Sequence, residues 1–233
     1  MHTRILLASN NAHKRSEMDG ILALLNVPVE IMQPKDFGFS FDAEETADSF
    51  SGNSLIKARA LFQLTQGILV PGATCSIDVD EVSQRISRIL GGTTIPVISD
   101  DSGICVRALD NRPGIYSARF GNEPGKPPLS DEDRNDLLLE TLKDVRDRDA
   151  HYVCNATLIL DDERWMQVEE TWHGTVLTER APGTTGFGYD PIVWLEEAGC
   201  SVAQLPQEQK DQVSHRAKAL RRLAAAAGWL DSV

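Results

Sequence analysis

The chain has 233 residues, 41% hydrophobic and 25% charged, which is enough to bury a core in one large domain or one domain of two lobes. Its net charge is −12, from 23 basic and 35 acidic residues. That argues against a general electrostatic surface for duplex nucleic acid, and a polyanion would have to be held by a few local cations. The four cysteines, Cys75, Cys105, Cys154 and Cys200, form no Cys-x-x-Cys pair and read as reduced filler residues. No stretch reads as a signal core, and none approaches the ~20 apolar residues of a membrane span, so the expectation is a cytoplasmic enzyme or binding protein.

Arg4 to Ala8 reads as a short buried strand, and Ser9-Asn10-Asn11 follows with helix-capping residues. Met18, Ile21, Leu22 and Leu25 then mark a helix from about Ala12 to Leu25. Pro28 to Met32 reads as a second strand, and Gln33 to Ser51 as an irregular acidic stretch. Leu55, Ile56, Ala60 and Leu64 mark a further helix from Asn53. Between about Gly67 and Thr94, Pro71-Gly72 and Gly91-Gly92 bracket Val79, Val82, Ile86 and Ile89 at helical spacing, which predicts an inserted helical excursion.

Ile95-Pro96-Val97-Ile98 reads as a buried strand, and Asp100-Asp101-Ser102-Gly103 as an acid turn at its end. Ile104 to Leu109 reads as a return strand. Ser130-Asp131-Glu132-Asp133 opens a helix carrying Leu137, Leu138 and Leu142. His151 to Leu160 and Arg164 to Leu177 read as a hairpin, and Gln212 to Ala227 as a last helix stopped by Gly228. Helices alternating with strands, then a late hairpin, predict an α/β fold with a mixed sheet.

Five groups of residues carry chemistry. Two adjacent carboxylates at the edge of a sheet can hold Mg2+ and take a proton from water; a solvated turn is the ordinary alternative. Ser9 to Lys14 sits between strand and helix, where unpaired N–H groups and a lysine suit phosphate, although an ordinary cap has the same letters. Glu44-Glu45 precedes Lys57 by about one loop-to-helix corner, which could serve metal and phosphate together or be a solvated acidic loop. Pro113-Gly114 opens a turn leading to Arg119, whose apolar neighbours imply a partner for its charge. Glycines around Phe187 and Asp190 suit a loop that stacks on a flat ring, with Lys210 and Ser214-His215-Arg216 as further donors or as residues facing water.

In this order, the motifs resemble the inosine triphosphate pyrophosphatase family, whose members hydrolyse non-standard purine nucleoside triphosphates. The resemblance runs from about Ile5 to Leu223. Ser9-x-Asn11-x-x-Lys14 is similar to the family's phosphate motif. Asp100-Asp101-Ser102-Gly103, Pro113 to Arg119, Phe187-Gly188-Tyr189-Asp190-Pro191 and Ser214-His215-Arg216 match it almost letter for letter. The resemblance implies a long mixed sheet with flanking helices in two lobes about a central cleft, and a homodimer. It implies Glu45, Asp100 and Asp101 as ligands of Mg2+, with Asp101 as the general base. Ser9, Asn10, Asn11, Ala12, His13, Lys14, Lys57 and Ser102 would hold the triphosphate, and Arg119 the nucleotide. Phe187, Gly188, Tyr189, Asp190, Lys210, His215 and Arg216 would form the base pocket. The implied substrates are ITP, dITP and XTP, cut to monophosphate and pyrophosphate.

Three positions depart from the family pattern. Gly52-Asn53-Ser54 stands where Glu-Asn-Ala is usual, and Ala47 stands where Gly is usual. Three rival readings stay open on the residues. One is a Maf-like pyrophosphatase of other base preference. Another is a haloacid-dehalogenase-type phosphatase using Asp78-Val79-Asp80, and the third is a nucleotide sensor without turnover.

Overall fold

The computed structural model describes residues 3–90 and 95–230. In chain order the elements are β1 Thr3–Leu7, α1 Ala12–Leu24, β2 Val29–Met32, β3 Phe41–Ala43, α2 Phe50–Thr65, β4 Ala73–Cys75, α3 Val79–Leu90 and β5 Val97–Val106. Then follow β6 Arg112–Pro113, α4 Asp131–Thr141, β7 Asp149–Ile159, β8 Trp165–Val176, β9 Val193–Leu195, β10 Cys200–Ser201, α5 Gln207–Val213 and α6 His215–Ala226. The main sheet runs β10-β9-β8-β7-β5-β1-β2, with β6 on β5, and β3 and β4 pair separately. β1 is parallel to β2 and β5, whereas β9 is antiparallel to β8 and β10. The sheet is therefore mixed, and the fold is the α/β class that the alternation predicts.

The chain forms two compact units. One takes in the residues up to Asp101, Asn155–Glu169 and the chain from Ala219; the other takes in Ser102–Cys154 and Glu170–Lys218. In the first, Leu6, Phe37, Phe39, Phe41, Leu61, Leu64 and Val97 build a core. Val82 and Ile86 of α3 are buried in the same cluster, while Ile89 is exposed. Ser83 Oγ donates to the Thr65 carbonyl at 3.0 Å, and Arg85 Nη1 to the Gly38 carbonyl at 2.6 Å. The segment after α2 thus supplies a strand as well as a helix, and three of the four stripe positions, Val79, Val82 and Ile86, pack on this core. The Gly91-Gly92 stem lies outside the described residues. In the second unit, Ile104, Val106, Leu138, Tyr152, Trp172, Val176 and Ile192 form the core.

Helix starts follow local chemistry. Asn11, Ser49 and Ser130 each accept first-turn N–H bonds at the heads of α1, α2 and α4. Four expectations are corrected. Asp100 to Gly103 is no turn, because β5 runs straight through it, and Ile104 to Val106 continues the same strand instead of returning. Asp and Ser favour turns locally, but apolar runs bury both ends of this strand and lysines offset the acids within it. Gly103 serves close packing: a Cβ there would meet the Gly114 carbonyl and Ser117 Oγ, each at 2.4 Å. The last helix is two helices, α5 and α6, broken at Ser214, whose Oγ accepts the Ala217 N–H at 3.2 Å. The stretch from Gln33 to Ser51, expected to be irregular, contains β3.

Candidate active site

In the first unit, β1 leads into a capped helix. Asn11 Oδ1 accepts the N–H groups of His13 (2.9 Å) and Lys14 (3.2 Å), and Ser9 Oγ accepts that of Asn11 (3.2 Å). Asn10 Nδ2 donates to the Phe41 carbonyl at 2.7 Å, tying this loop to β3. Ala12 and His13 face outward. Lys14, one turn into α1, places Nζ 3.1 Å from Asp100 Oδ1, and Asp100 is fully buried. An acid so placed needs a nearby cation to stay charged.

Asp101 meets a different lysine. Lys57 Nζ lies 3.0 Å from Asp101 Oδ1 and 2.7 Å from Glu45 Oε1. Two carboxylates from β5 and from the loop before α2 therefore converge on one ammonium. Glu44 takes no part, since it is exposed and its N–H donates to the Gly72 carbonyl. Burial pushes the Asp101 carboxyl above its ordinary range, against the opposing pull of Lys57 and Lys14. Burial also works against the Lys57 charge, but Asp101, Glu45 and Asp100 outweigh it and raise the ammonium above its ordinary value.

The position of α2 is set from beneath. Ser54 Oγ lies 3.0 Å from Ser99 Oγ and 2.8 Å from Thr157 Oγ1, and Gln167 Nε2 donates to Thr157 Oγ1 at 2.9 Å. Ser54, where the resembled family has Ala, so joins α2 to β5 and β7 through buried hydroxyls. One helix turn on, Lys57 faces Asp101.

In the second unit, Asp190 is the hub. Its Oδ2 accepts from Lys210 Nζ at 2.7 Å and from the Phe187 N–H at 2.9 Å. Both Lys210 and Arg216 stand over the Phe187 ring, at 5.2 and 5.9 Å from its centroid. Arg216 is 2% exposed and donates to Ser102 Oγ at 2.9 Å. His215 stacks on Tyr152, with centroids 4.9 Å apart and the rings 13° from parallel. Phe187, Asp190, Lys210, His215, Arg216 and Ser102 are thus brought into one set of contacts.

Other expected residues stand apart from that set. Tyr189 turns into the core, where its hydroxyl donates to the Ser117 carbonyl at 2.9 Å and burial raises its pKa. Gly188 donates its N–H to Asp131 and accepts from Asn135. Arg119 places its guanidinium over Tyr116.

Two further residues touch these groups, neither of them given a role by the resemblance. Asn53 is fully buried; its Oδ1 accepts the Ala47 N–H at 3.0 Å and its Nδ2 donates to Asp101 Oδ2 at 3.4 Å. A hint was there, since asparagine is a poor helix former and needs a reason inside α2. Tyr152 donates to Asp190 Oδ1 at 3.0 Å from a strand that reads only as alternating core, so nothing local marks it.

The Ham1 family model matches residues 5–226. A dITP/XTP pyrophosphatase of Treponema denticola is 37% identical over 93% of this chain and 94% of its own length. One from Leptospira interrogans is 38% identical over 96% of each. A Ham1 protein of Staphylococcus aureus has a similar structure, with a TM-score of 0.70 and 30% identity over 97% of this chain and 98% of its own. A HAM1 protein of Coxiella burnetii gives a TM-score of 0.72 at 27% identity, over the same shares. With a family match over nearly its whole length and relatives this close, the chain belongs to the Ham1 family.

Proposed function

We propose that this protein hydrolyses non-standard purine nucleoside triphosphates, dITP, XTP and ITP, to the monophosphate and pyrophosphate. The observation that carries the reading is the convergence of Glu45 and Asp101 on Lys57, with Lys14 and Asp100 behind them. Water attacks the α-phosphorus, and Asp101 takes its proton, a task for which a carboxyl raised by burial is suited. Lys14 and Lys57 offset charge on the departing pyrophosphate.

The donor set fits Mg2+. Among the described residues no three or more of His, Cys, Asp and Glu gather into a metal cage. Mg2+ does not require one: it is usually held through one or two carboxylates, with waters and substrate phosphates completing its shell. Glu45 and Asp101 would hold it, with Asp100 adjacent in β5, and the bound ion would offset phosphate charge as a Lewis acid.

The second unit reads the base. Hypoxanthine and xanthine carry an O6 acceptor, which suits donors from Lys210 and Arg216. Adenine offers an N6–H donor there and would leave the buried donors unmatched. We read residues 1–233 as one such domain, cytoplasmic and acting as a homodimer. Among the described residues no helix is long and apolar enough to cross a membrane. Pyrophosphate release from ITP, XTP, dITP, GTP and ATP, with and without Mg2+, tests the reading. Orthophosphate as the product, or equal turnover of ATP and ITP, would overturn it.

A further inference from the structure

We propose that Tyr152 is a positioning residue for base recognition, its hydroxyl fixing the Asp190 carboxylate and its ring fixing the His215 imidazole. The inference rests on the base-site reading above and names what holds that site in shape.

The geometry is specific. Tyr152 lies on β7, 38 residues before Asp190, and is 6% exposed. Its O–H donates to Asp190 Oδ1 at 3.0 Å, while Asp190 Oδ2 accepts from Lys210 Nζ and the Phe187 N–H. The two oxygens of one carboxylate are therefore divided between a fixed support and the groups that would meet a ligand. Asp190 itself is 4% exposed, so water does not readily replace the phenol if it is removed. Without that donor the carboxylate can rotate, and Lys210 and the Phe187 loop move with Oδ2.

The ring acts separately from the hydroxyl. Tyr152 stacks on His215, which also lies 22° from parallel with Trp172 at 6.2 Å, while Tyr152 and Trp172 themselves are 6.1 Å apart. Two aromatic rings, Tyr152 and Trp172, neither more than 8% exposed, so fix the imidazole plane. A phenylalanine would preserve the stack and remove the bond to Asp190. A purely apolar packing role for Tyr152 would leave that bond without consequence.

The test is Tyr152→Phe in the full-length protein, alone and with Asp190→Asn. Steady-state kinetics on ITP and ATP, and binding of IMP and AMP, are read beside the unfolding midpoint. The ITP over ATP ratio of kcat/KM should fall about tenfold, the scale of one hydrogen bond to a charged group. The fall should come from KM for ITP, with kcat within about threefold, because Lys57, Asp101 and Glu45 are untouched. In an Asp190→Asn background the same change should have little further effect on the ratio. An unchanged ratio, equal losses on ITP and ATP, or full additivity with Asp190→Asn would overturn the role of Tyr152 while leaving the base-site reading intact. An unsubstituted protein that binds IMP no better than AMP would overturn the base-site reading, and the role of Tyr152 with it.

Discussion

A Cβ placed on Gly52 would stand 2.4 Å from the Cβ of Ala47. Two of the three departures from the family pattern, Gly52 and Ala47, are thus one exchange of space: the methyl at 47 occupies what a side chain at 52 would need. The consequence reaches the site, because the Ala47 N–H is held by Asn53, which also touches Asp101. Gly52→Ala alone should destabilise the protein by about 1–3 kcal/mol, the usual cost of overpacking, and raise KM for ITP. Gly52→Ala with Ala47→Gly should return to within about 1 kcal/mol of the starting protein, with Ala in place of Gly in the helix contributing to the recovery. Denaturant unfolding of the four proteins checks this, and simple additivity would show that the two positions do not share the space.

Much of the fold is legible where the signal is local. Arg4 to Ala8 followed by an Asn11 cap gives β1 and α1, and Ser130 with Asp133 gives the start of α4, because the strand pattern and the cap chemistry lie within a few residues of each other. Part of what failed needed distant partners. Asp100 to Gly103 has turn letters, yet Lys14 and Lys57 from two helices keep the acids inside a strand. Residues 212–227 are rich in helix formers, and only the capping bond of Ser214 divides them. Of the candidate site, the lysine and acid positions could be read from motif order, which also took in Tyr189. Tyr189 differs from Phe187 in where its ring packs, and no spacing reveals that.

The helix stripe of α3 divides into working and idle positions. Ile86 is 3% exposed in the core of the first unit, whereas Ile89 is 46% exposed. Ile86→Ala should cost about 2–5 kcal/mol, the range for large-to-small changes in a core. Ile89→Ala should stay within about 0.5 kcal/mol, as surface changes do. Chemical denaturation of both variants would settle the contrast, and equal losses would mean that α3 packs by a different face.

Gly186 lies against the Asp190–Lys210 pair. Its φ is +82°, and a Cβ there would meet Asp190 Oδ2 at 1.9 Å and Lys210 Nζ at 2.8 Å. Gly186→Ala must therefore push apart the Asp190–Lys210 pair while straining the backbone. We expect at least a tenfold loss of kcat/KM for ITP, equivalent to about 1.4 kcal/mol or more of transition-state binding. Wild-type ITP kinetics in this variant would place the loop away from the substrate.

His151 and His173 face each other with centroids 5.4 Å apart. Burial, and secondarily the charge of His173, lowers the His151 pKa below its ordinary 6.5. The folded state therefore resists protonation, and the unfolded chain binds more protons in the window between the two pKa values. The stability that neutral His151 contributes is complete above the unfolded value of 6.5 and is lost as pH falls through the depressed folded value. His151→Gln should narrow the difference in unfolding free energy between pH about 7.5 and pH about 5. An unchanged difference would assign the acid sensitivity to other groups.

The two acids before α2 give the sharpest test of the reacting centre. Glu45 Oε1 meets Lys57 at 2.7 Å, beside Asp101, while the Glu44 side chain is exposed. Glu45→Gln should raise the Mg2+ concentration needed for half-maximal rate and lower kcat, and Glu44→Gln should do neither. Asp101→Asn should lower kcat by at least ~100-fold, since a general base contributes that much or more, and should leave IMP binding within a few-fold. The order of the three variants carries the argument. If Glu44→Gln is the variant that demands more Mg2+, the metal sits away from Lys57. If Asp101→Asn turns over normally, another group takes the proton, and Asp100, held by Lys14 on the same strand, becomes the next candidate.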